Sequence, residues 1–328
     1  MRVHHLNCVS ACPLGGLLMD GGNGKASMGN ASLSARLTCH CLLVETEAGL
    51  VLVDTGYGTR DVADPRGRLS AFFLALVRPE LREEMTAIRQ IEGMGFDPRD
   101  VRHIVLSHLD FDHAGGLDDF PEARVHLLAD ERDSAMAQAT ALDRMRYRPQ
   151  QWSTRHNWEV YVEGQGEPWF GFACARELAG VRGDIVMVPL VGHTLGHAGI
   201  AVRREDDWLL LAADAYFYHG EMDPDRPRCT PGLAMYQTLM EKDRKARKRN
   251  QRRLRELGRA HGSEVTIVCA HDVLEFERLA GRRHDVPIGA EEGREPSGRQ
   301  YASAGARTPV GSWRGMGGTA ASPPESHW

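Results

Sequence analysis

A chain of 328 residues with 42% hydrophobic residues is long enough to bury a substantial core as a single α/β unit. Charged residues make up 26% and the formal net charge is −5, which speaks against a nucleic-acid binder and against a chain too polar to fold. No apolar stretch approaches the roughly 20 residues a membrane span requires, and "MRVHHLNCVSACPLGG" lacks the apolar core and cleavage site of a secretory leader. The expectation is a cytoplasmic protein without membrane contact.

The first strand signals are "RLTCHCLLVET" and "VLVDTG", joined at "EAGL" as a hairpin, with Asp54 where the second strand breaks off. Within this pair Cys39 and Cys41 flank His40. Seven scattered cysteines are an odd count and argue against a disulfide framework. This pair reads as buried thiols, since no second Cys pair stands near to complete a metal site.

A helical stretch follows around "LSAFFLALV" and "ELREEMTAIRQIEGMG", ending at Gly93 and Gly95. The buried-strand run "HIVL" comes next and leads into "SHLDFDHAGGL". "ARVHLLA" predicts a strand and "DERDSAMAQATALDRM" a helix, whereas 149–182 is Trp- and Gly-rich without period and reads as a loop or cap. "DIVMVPLV", "AGIAVRR" and "WLLLAAD" predict three more strands.

"CTPGLAMYQTLMEKDRKARKRNQRRLRELGRAHG" predicts one long helix, opened at Thr230-Pro231 and closed near Gly262. Its basic run, 243–255, reads as a solvated face. "VTIVCA" is a last strand delivering "HD". From Gly281 the chain turns rich in Gly, Ser, Pro and Ala, so residues 1–280 are expected to form the domain and 281–328 a disordered tail.

The recurring event is an apolar run followed by polar residues. Asp54, His108 to His113, His193, Asp214 and His271 all stand just beyond such runs, so a sheet would gather them at one edge. Imidazole and carboxylate suit Zn, Fe and Mn. The set His108, Asp110, Asp112, His113, His193, Asp214 and His271 divides naturally into two metal centres sharing a carboxylate, a known hydrolytic clamp when the ions lie about 3.5–4 Å apart.

"HLDFDH", "GHTLGH", the Asp214 segment and "AHD", in this order after "VLVDTG", resemble the metallo-β-lactamase-fold hydrolases over about residues 36–275. The spacing is most similar to the acyl-homoserine lactonase branch. The resemblance implies an α/β fold, an αββα sandwich with two divalent metal ions at one edge of its sheets. His108 and His193 would hold the first ion, Asp112, His113 and His271 the second, and Asp214 would bridge them. Asp54 would orient the ligand loop, and His197 would hydrogen-bond near the site or close the turn after His193.

Asp110 departs from the family pattern H-x-H-x-D-H, in which its place belongs to a histidine. Three readings follow: its carboxylate still binds the first metal, or the first site is weakened and one metal binds tightly, or the scaffold is inactive. The first is the expectation, because every other ligand position is filled. Zinc is the default, with iron or manganese as alternatives because a carboxylate is harder than imidazole; flavodiiron proteins of this fold carry an acidic residue there.

The function implied is metal-dependent opening of a carboxylic ester or lactone by a bridging hydroxide, with Asp112 protonating the leaving alkoxide. The lactonases carry a tyrosine three residues after the bridging aspartate. Phe217 stands at that position here, leaving Tyr216 or Tyr218 to assist. Phe72, Phe73, Trp152, Trp158, Trp169 and Phe170 are either an acyl-chain wall or ordinary core. A glyoxalase II type thioesterase, a phosphodiesterase or nuclease, and a non-catalytic iron-binding protein are the alternatives.

Overall fold

The computed structural model describes residues 1–22, 33–152, 157–162, 166–181 and 183–289, with backbone only for 173–177. Twelve strands form two six-stranded sheets. In the first, β1 (Val3–Asn7), β2 (His40–Thr46), β3 (Gly49–Val53), β4 (Val101–Val105), β5 (Arg124–Leu128) and β6 (Trp158–Tyr161) lie side by side in chain order. The second holds β7 (Glu167–Trp169), β8 (Phe172–Glu177), β9 (Ile185–Pro189), β10 (Ala198–Arg203), β11 (Trp208–Leu211) and β12 (Val265–Val268), again in sequential order.

The helices are α1 (Leu17–Asp20), α2 (Thr59–Ala63), α3 (Pro65–Arg68), α4 (Ala71–Val77), α5 (Ala87–Gly93), α6 (Ala129–Ala137), α7 (Ala141–Arg146), α8 (Pro231–Met240), α9 (Arg244–His261) and α10 (Val273–Ala280).

The layering follows from the two-residue period of strands buried on both faces. Leu42, Val44, Val51, Val53 and Val105 point toward the second sheet, meeting Ile185, Met187, Ile200, Val202, Leu209 and Leu211. Their neighbours Cys41, Leu43, Leu50, Leu52 and Ile104 face the opposite way, against Ala87 and Ile91 of α5 and Ala135 of α6. On the far side of the second sheet, Val186, Val188, Ala201 and Leu210 pack on Leu254 and Leu257 of α9. The result is the expected αββα sandwich.

The hairpin forms as predicted, with Thr46 opposite Gly49. Four expectations change. The N-terminal segment, to which no strand was assigned, is β1, paired antiparallel with β2 from Val3↔Val44 to Asn7↔His40. The aperiodic 149–182 region contains β6, β7 and β8, short strands whose pattern is too brief to show a period.

The long helix is two helices. Asp243 caps α9 by accepting from the Ala246 amide, and the Lys242 and Asp243 amides donate to the Gly192 carbonyl instead of continuing α8. The domain also runs past residue 280. Arg282 donates to the His5 carbonyl, the Asn7 amide side chain to the His284 carbonyl, and the Ile288 amide to Gln90, which seats 281–289 on the first sheet's side. The rest of the predicted tail lies outside the described residues.

Candidate metal centre

The site grows from strand ends. Asp54 directly follows β3, His108 stands three residues beyond β4, His193 four beyond β9, Asp214 three beyond β11 and His271 three beyond β12. β3 and β4 run parallel, as do β11 and β12, so these ends emerge on one edge. Asp54 sits at φ 54°, a left-handed conformation that Asp tolerates better than most residues. The glycine pair of "HAGGL" is a packing requirement: a Cβ on Gly115 would lie 2.2 Å from Asp61 Oδ2 and 2.7 Å from the Gly56 carbonyl.

Hydrogen bonds at the rear of the His108, His113 and His271 imidazoles aim their fronts at the centre. His113 Nδ1 donates to Asp54 Oδ2 at 2.9 Å, and His271 Nδ1 to the Thr38 carbonyl at 2.6 Å. The Ser107 hydroxyl donates to Asp54 Oδ2 at 2.7 Å and accepts from His108 Nδ1 at 2.9 Å. With Nδ1 carrying the proton, each Nε2 presents a lone pair, the arrangement metal-ligating histidines require. His197 Nδ1 donates to the Leu190 carbonyl and its Nε2 accepts from the Asp214 amide, each at 3.0 Å.

The donors converge. His113 Nε2 and His271 Nε2 lie 3.2 and 3.0 Å from Asp214 Oδ1, and His271 Nε2 is 3.9 Å from Asp112 Oδ2. On the other side, His108 Nε2 is 3.4 Å from Asp110 Oδ2, and His193 Nε2 is 3.3 Å from Asp214 Oδ2. Ligands about 2.0–2.1 Å from a tetrahedral ion stand about 3.3 Å apart. Buried His108 Nε2, His113 Nε2 and Asp214 Oδ1 have no hydrogen-bond partner, and unsatisfied buried polar atoms are costly. These residues fit a divalent cation. Cys39 also lies within donor reach of Asp112 and His271; burial pushes its thiol well above the ordinary range. Burial would also raise Asp214, but His271, His113 and His193 outweigh it and hold the carboxyl well below its usual value.

Residues 35–255 match the metallo-β-lactamase superfamily. The chain belongs to this superfamily. A probable metallo-hydrolase of Mycobacterium tuberculosis is 41% identical over 273 residues, 83% of this chain and 80% of its own. An N-acyl homoserine lactonase of Bacillus thuringiensis is 26% identical over 219 residues, 62% of this chain and 77% of its own. Among solved structures, an N-acyl homoserine lactone hydrolase holding N-hexanoyl-L-homoserine at its catalytic metal centre superimposes with TM-score 0.61 at 20% identity, covering 86% of this chain and 96% of that one. A dizinc quorum-quenching lactonase gives TM-score 0.53 at 16% identity, covering 83% and 89%. At these identities the superpositions speak for the fold.

Two of the expected residues stand away from the centre. The Tyr216 hydroxyl is buried and shared between Glu275 Oε1 and Oε2, at 3.0 Å from each. Tyr218 packs on His219 with its hydroxyl end toward Gly21. Successive side chains in this extended stretch alternate, so Phe217 is the one that meets the donors, its ring stacked on His271 at 4.9 Å. Of the aromatic residues read as wall or core, Trp152 packs with the first sheet, Trp169 with the second and Phe73 lies 4.6 Å from Phe111, whereas Phe72 is exposed.

A cavity of about 340 Å³ reaches the centre from a different direction. Leu14, Leu37, Leu76, Met235 and Leu239 line it, and Asp112 and His271 stand with Phe217 and Tyr236 in its wall.

Sequence reasoning passed over three residues. Tyr236 lay unmarked inside a helix. Buried Glu131 ties together the two ligand loops, accepting from the Leu109 and Gly196 amides at 2.9 and 3.2 Å and from the Thr194 hydroxyl. Arg146 grips Asp110 with two hydrogen bonds, Nε to Oδ1 at 2.7 Å and Nη2 to Oδ2 at 2.5 Å. Burial opposes ionisation of Asp110, yet Arg146 and His108 outweigh it and hold the carboxyl well below its ordinary value. The one available signal for Arg146 was Asp110 itself, since a buried carboxylate needs a partner.

Proposed function

We propose that this metallo-hydrolase opens carboxylic esters or lactones that carry an apolar acyl chain. The observation behind this reading is the aliphatic cavity, which runs up to Asp112 and His271. An acyl chain laid there would bring its carbonyl to the donor cluster, and a hydrophobic wall with a few polar groups at one end is how small-molecule sites are built. Support also comes from the lactonase relatives, one of which holds an acyl-homoserine product at its metal centre.

A bound divalent cation would acidify a water molecule and polarise the carbonyl. Beside the cavity, Asp112, His113, His271 and Asp214 are the residues that would hold it, with Asp54 and His197 fixing the orientation of His113 and Asp214. Asp112 is the carboxylate that faces the cavity, its side chain 13% exposed, which suits it to deliver a proton to the leaving alkoxide. Tyr236, in the cavity wall and with its ring 5.6 Å from Phe217, is the phenol we assign to the carbonyl in place of Tyr216 or Tyr218.

A panel of p-nitrophenyl esters, acyl lactones, thioesters and bis(p-nitrophenyl) phosphate tests this reading. Ester or lactone turnover that is lost on chelation and restored by metal is expected. Turnover of the phosphodiester alone would overturn it.

A further inference from the structure

Arg146 is the last residue of α7 and is fully buried. A single antiparallel bridge between Asp110 and Tyr147 fixes the backbone beside it, and its Nη1 donates to the Met240 carbonyl at 2.8 Å, at the end of α8. Its remaining nitrogens point into the donor cluster. Nε and Nη2 hold the Asp110 carboxylate, and Nη2 also lies 2.8 Å from His193 Nε2, which is itself 3.0 Å from Asp110 Oδ2; a guanidinium can only donate, so with Nε2 unprotonated the Arg146 contact takes its lone pair.

That last contact distinguishes this centre from one in which a histidine has merely been exchanged for an acid. In net charge, an Asp110–Arg146 pair equals the neutral imidazole it would replace, so charge alone does not change how many cations the site can take. The lone pair does. An imidazole nitrogen has a single lone pair, and one that accepts from a guanidinium N–H cannot also bind a cation. His113 Nε2 and His108 Nε2, by contrast, make no hydrogen bond of good geometry and face only carboxylate oxygens, of Asp214 at 3.2 Å and of Asp110 at 3.4 Å. A buried guanidinium keeps its proton at any accessible pH, so this donor does not step aside by deprotonation.

We propose that the Arg146 guanidinium occupies the place of the first metal ion, so that the protein holds one tightly bound divalent cation, on the Asp112, His113, Asp214 and His271 side. The proposal rests on the metal-dependent reading of the site but not on the substrate assigned to it. The cluster pairs one metal ion with one fixed organic cation, and Asp110 serves as the anchor of that cation.

The test is a metal count on the full-length protein, saturated with zinc and separately with manganese, then dialysed against a weak chelator and measured by elemental analysis and native mass spectrometry. One retained equivalent is expected, with the second held about 10- to 100-fold more weakly. Arg146→Met, and Arg146→Met combined with Asp110→His, should each retain two. Because Arg146 is buried and its variants can fail to fold, ¹⁵N imidazole spectra of the unaltered protein provide an independent readout. On the first zinc equivalent His113 and His271 Nε2 should move to metal-bound shifts while His193 Nε2 stays in place. Two tightly held equivalents, a folded Arg146→Met that retains one, or a His193 shift in step with His113 would each overturn the proposal. One equivalent with no ester or lactone turnover would leave it standing and sink the substrate reading.

Discussion

The two halves of the donor cluster share Asp214 but are built to opposite ends. The half around His113, His271 and Asp112 adjoins the apolar cavity and has no guanidinium among its donors, although each half keeps an imidazole Nε2 without a hydrogen bond, His113 in this one and His108 in the other. The half around His108, Asp110 and His193 is sealed: Arg146 saturates Asp110 and reaches His193, and Glu131 clamps the loops that carry both flanks. Buried carboxylates brace both halves, but only in the sealed one does an organic cation sit among the ligands. With one ion bound beside the cavity, chemistry would fall to the open half and positioning to the closed one.

The sharpest way to break that contrast is His113→Ala. It removes a donor from the open half, and a metal ion's stabilisation of developing charge is worth several kcal/mol. Turnover of the best ester should fall by about 10³-fold or more. A variant that hydrolyses as fast as the parent would place the chemistry elsewhere.

Beneath the open half lies a titrating brace. Glu275 accepts from the Cys269 amide, two residues before His271, and from Tyr216. Burial, aided by Asp272, pushes its carboxyl up to about 7. Between the ordinary value of 4.5 and 7 the folded state therefore holds a proton that the unfolded chain has released, and stability falls as pH rises through that window. The loss is at most about 3 kcal/mol. Melting temperatures of Glu275→Gln should vary less than the parent's between pH 5 and 8. Equal slopes would show that Glu275 does not titrate there.

Asp54 touches both halves, since its Oδ2 receives His113 directly and His108 through Ser107. Asp54→Ala should weaken metal binding by about 10- to 100-fold, read by chelator competition, while the fold survives. Unchanged affinity would mean that the loops, rather than Asp54, aim the imidazoles.

The same contrast explains what sequence could convey. Side chains at strand ends leave a linear trace, because each follows an apolar run: His108, His193, Asp214 and His271 could be singled out as candidate donors that way, and the order of most strands was legible too. Partners that meet ligands only through tertiary packing leave none. Glu131 lies on α6 and Arg146 on α7, 22 and 36 residues from their partners Leu109 and Asp110, and neither stands at a strand end.

The aromatic residues stayed legible only as wall or core for the same reason, since core and cavity share that composition, whereas the cavity wall is assembled largely from the N-terminal segment, α4 and α8.

That wall yields the smallest effect and the most specific one. Each methylene moved from water onto an apolar surface contributes about 0.8 kcal/mol, or about fourfold in kcat/KM. Across p-nitrophenyl esters of increasing chain length, kcat/KM should climb by about that factor per methylene until the cavity is full, then level off. Ala75 lines the cavity on α4, away from every metal donor. Ala75→Phe would fill part of the space, so the climb should stop at a shorter chain while metal content stays unchanged. If chain length does not matter in the parent, the cavity is not where the acyl group lies. If it matters equally in both proteins, the chain takes a path that avoids α4. Either result would move the substrate without moving the metal, because the open half of the centre and the wall beside it are built from different elements.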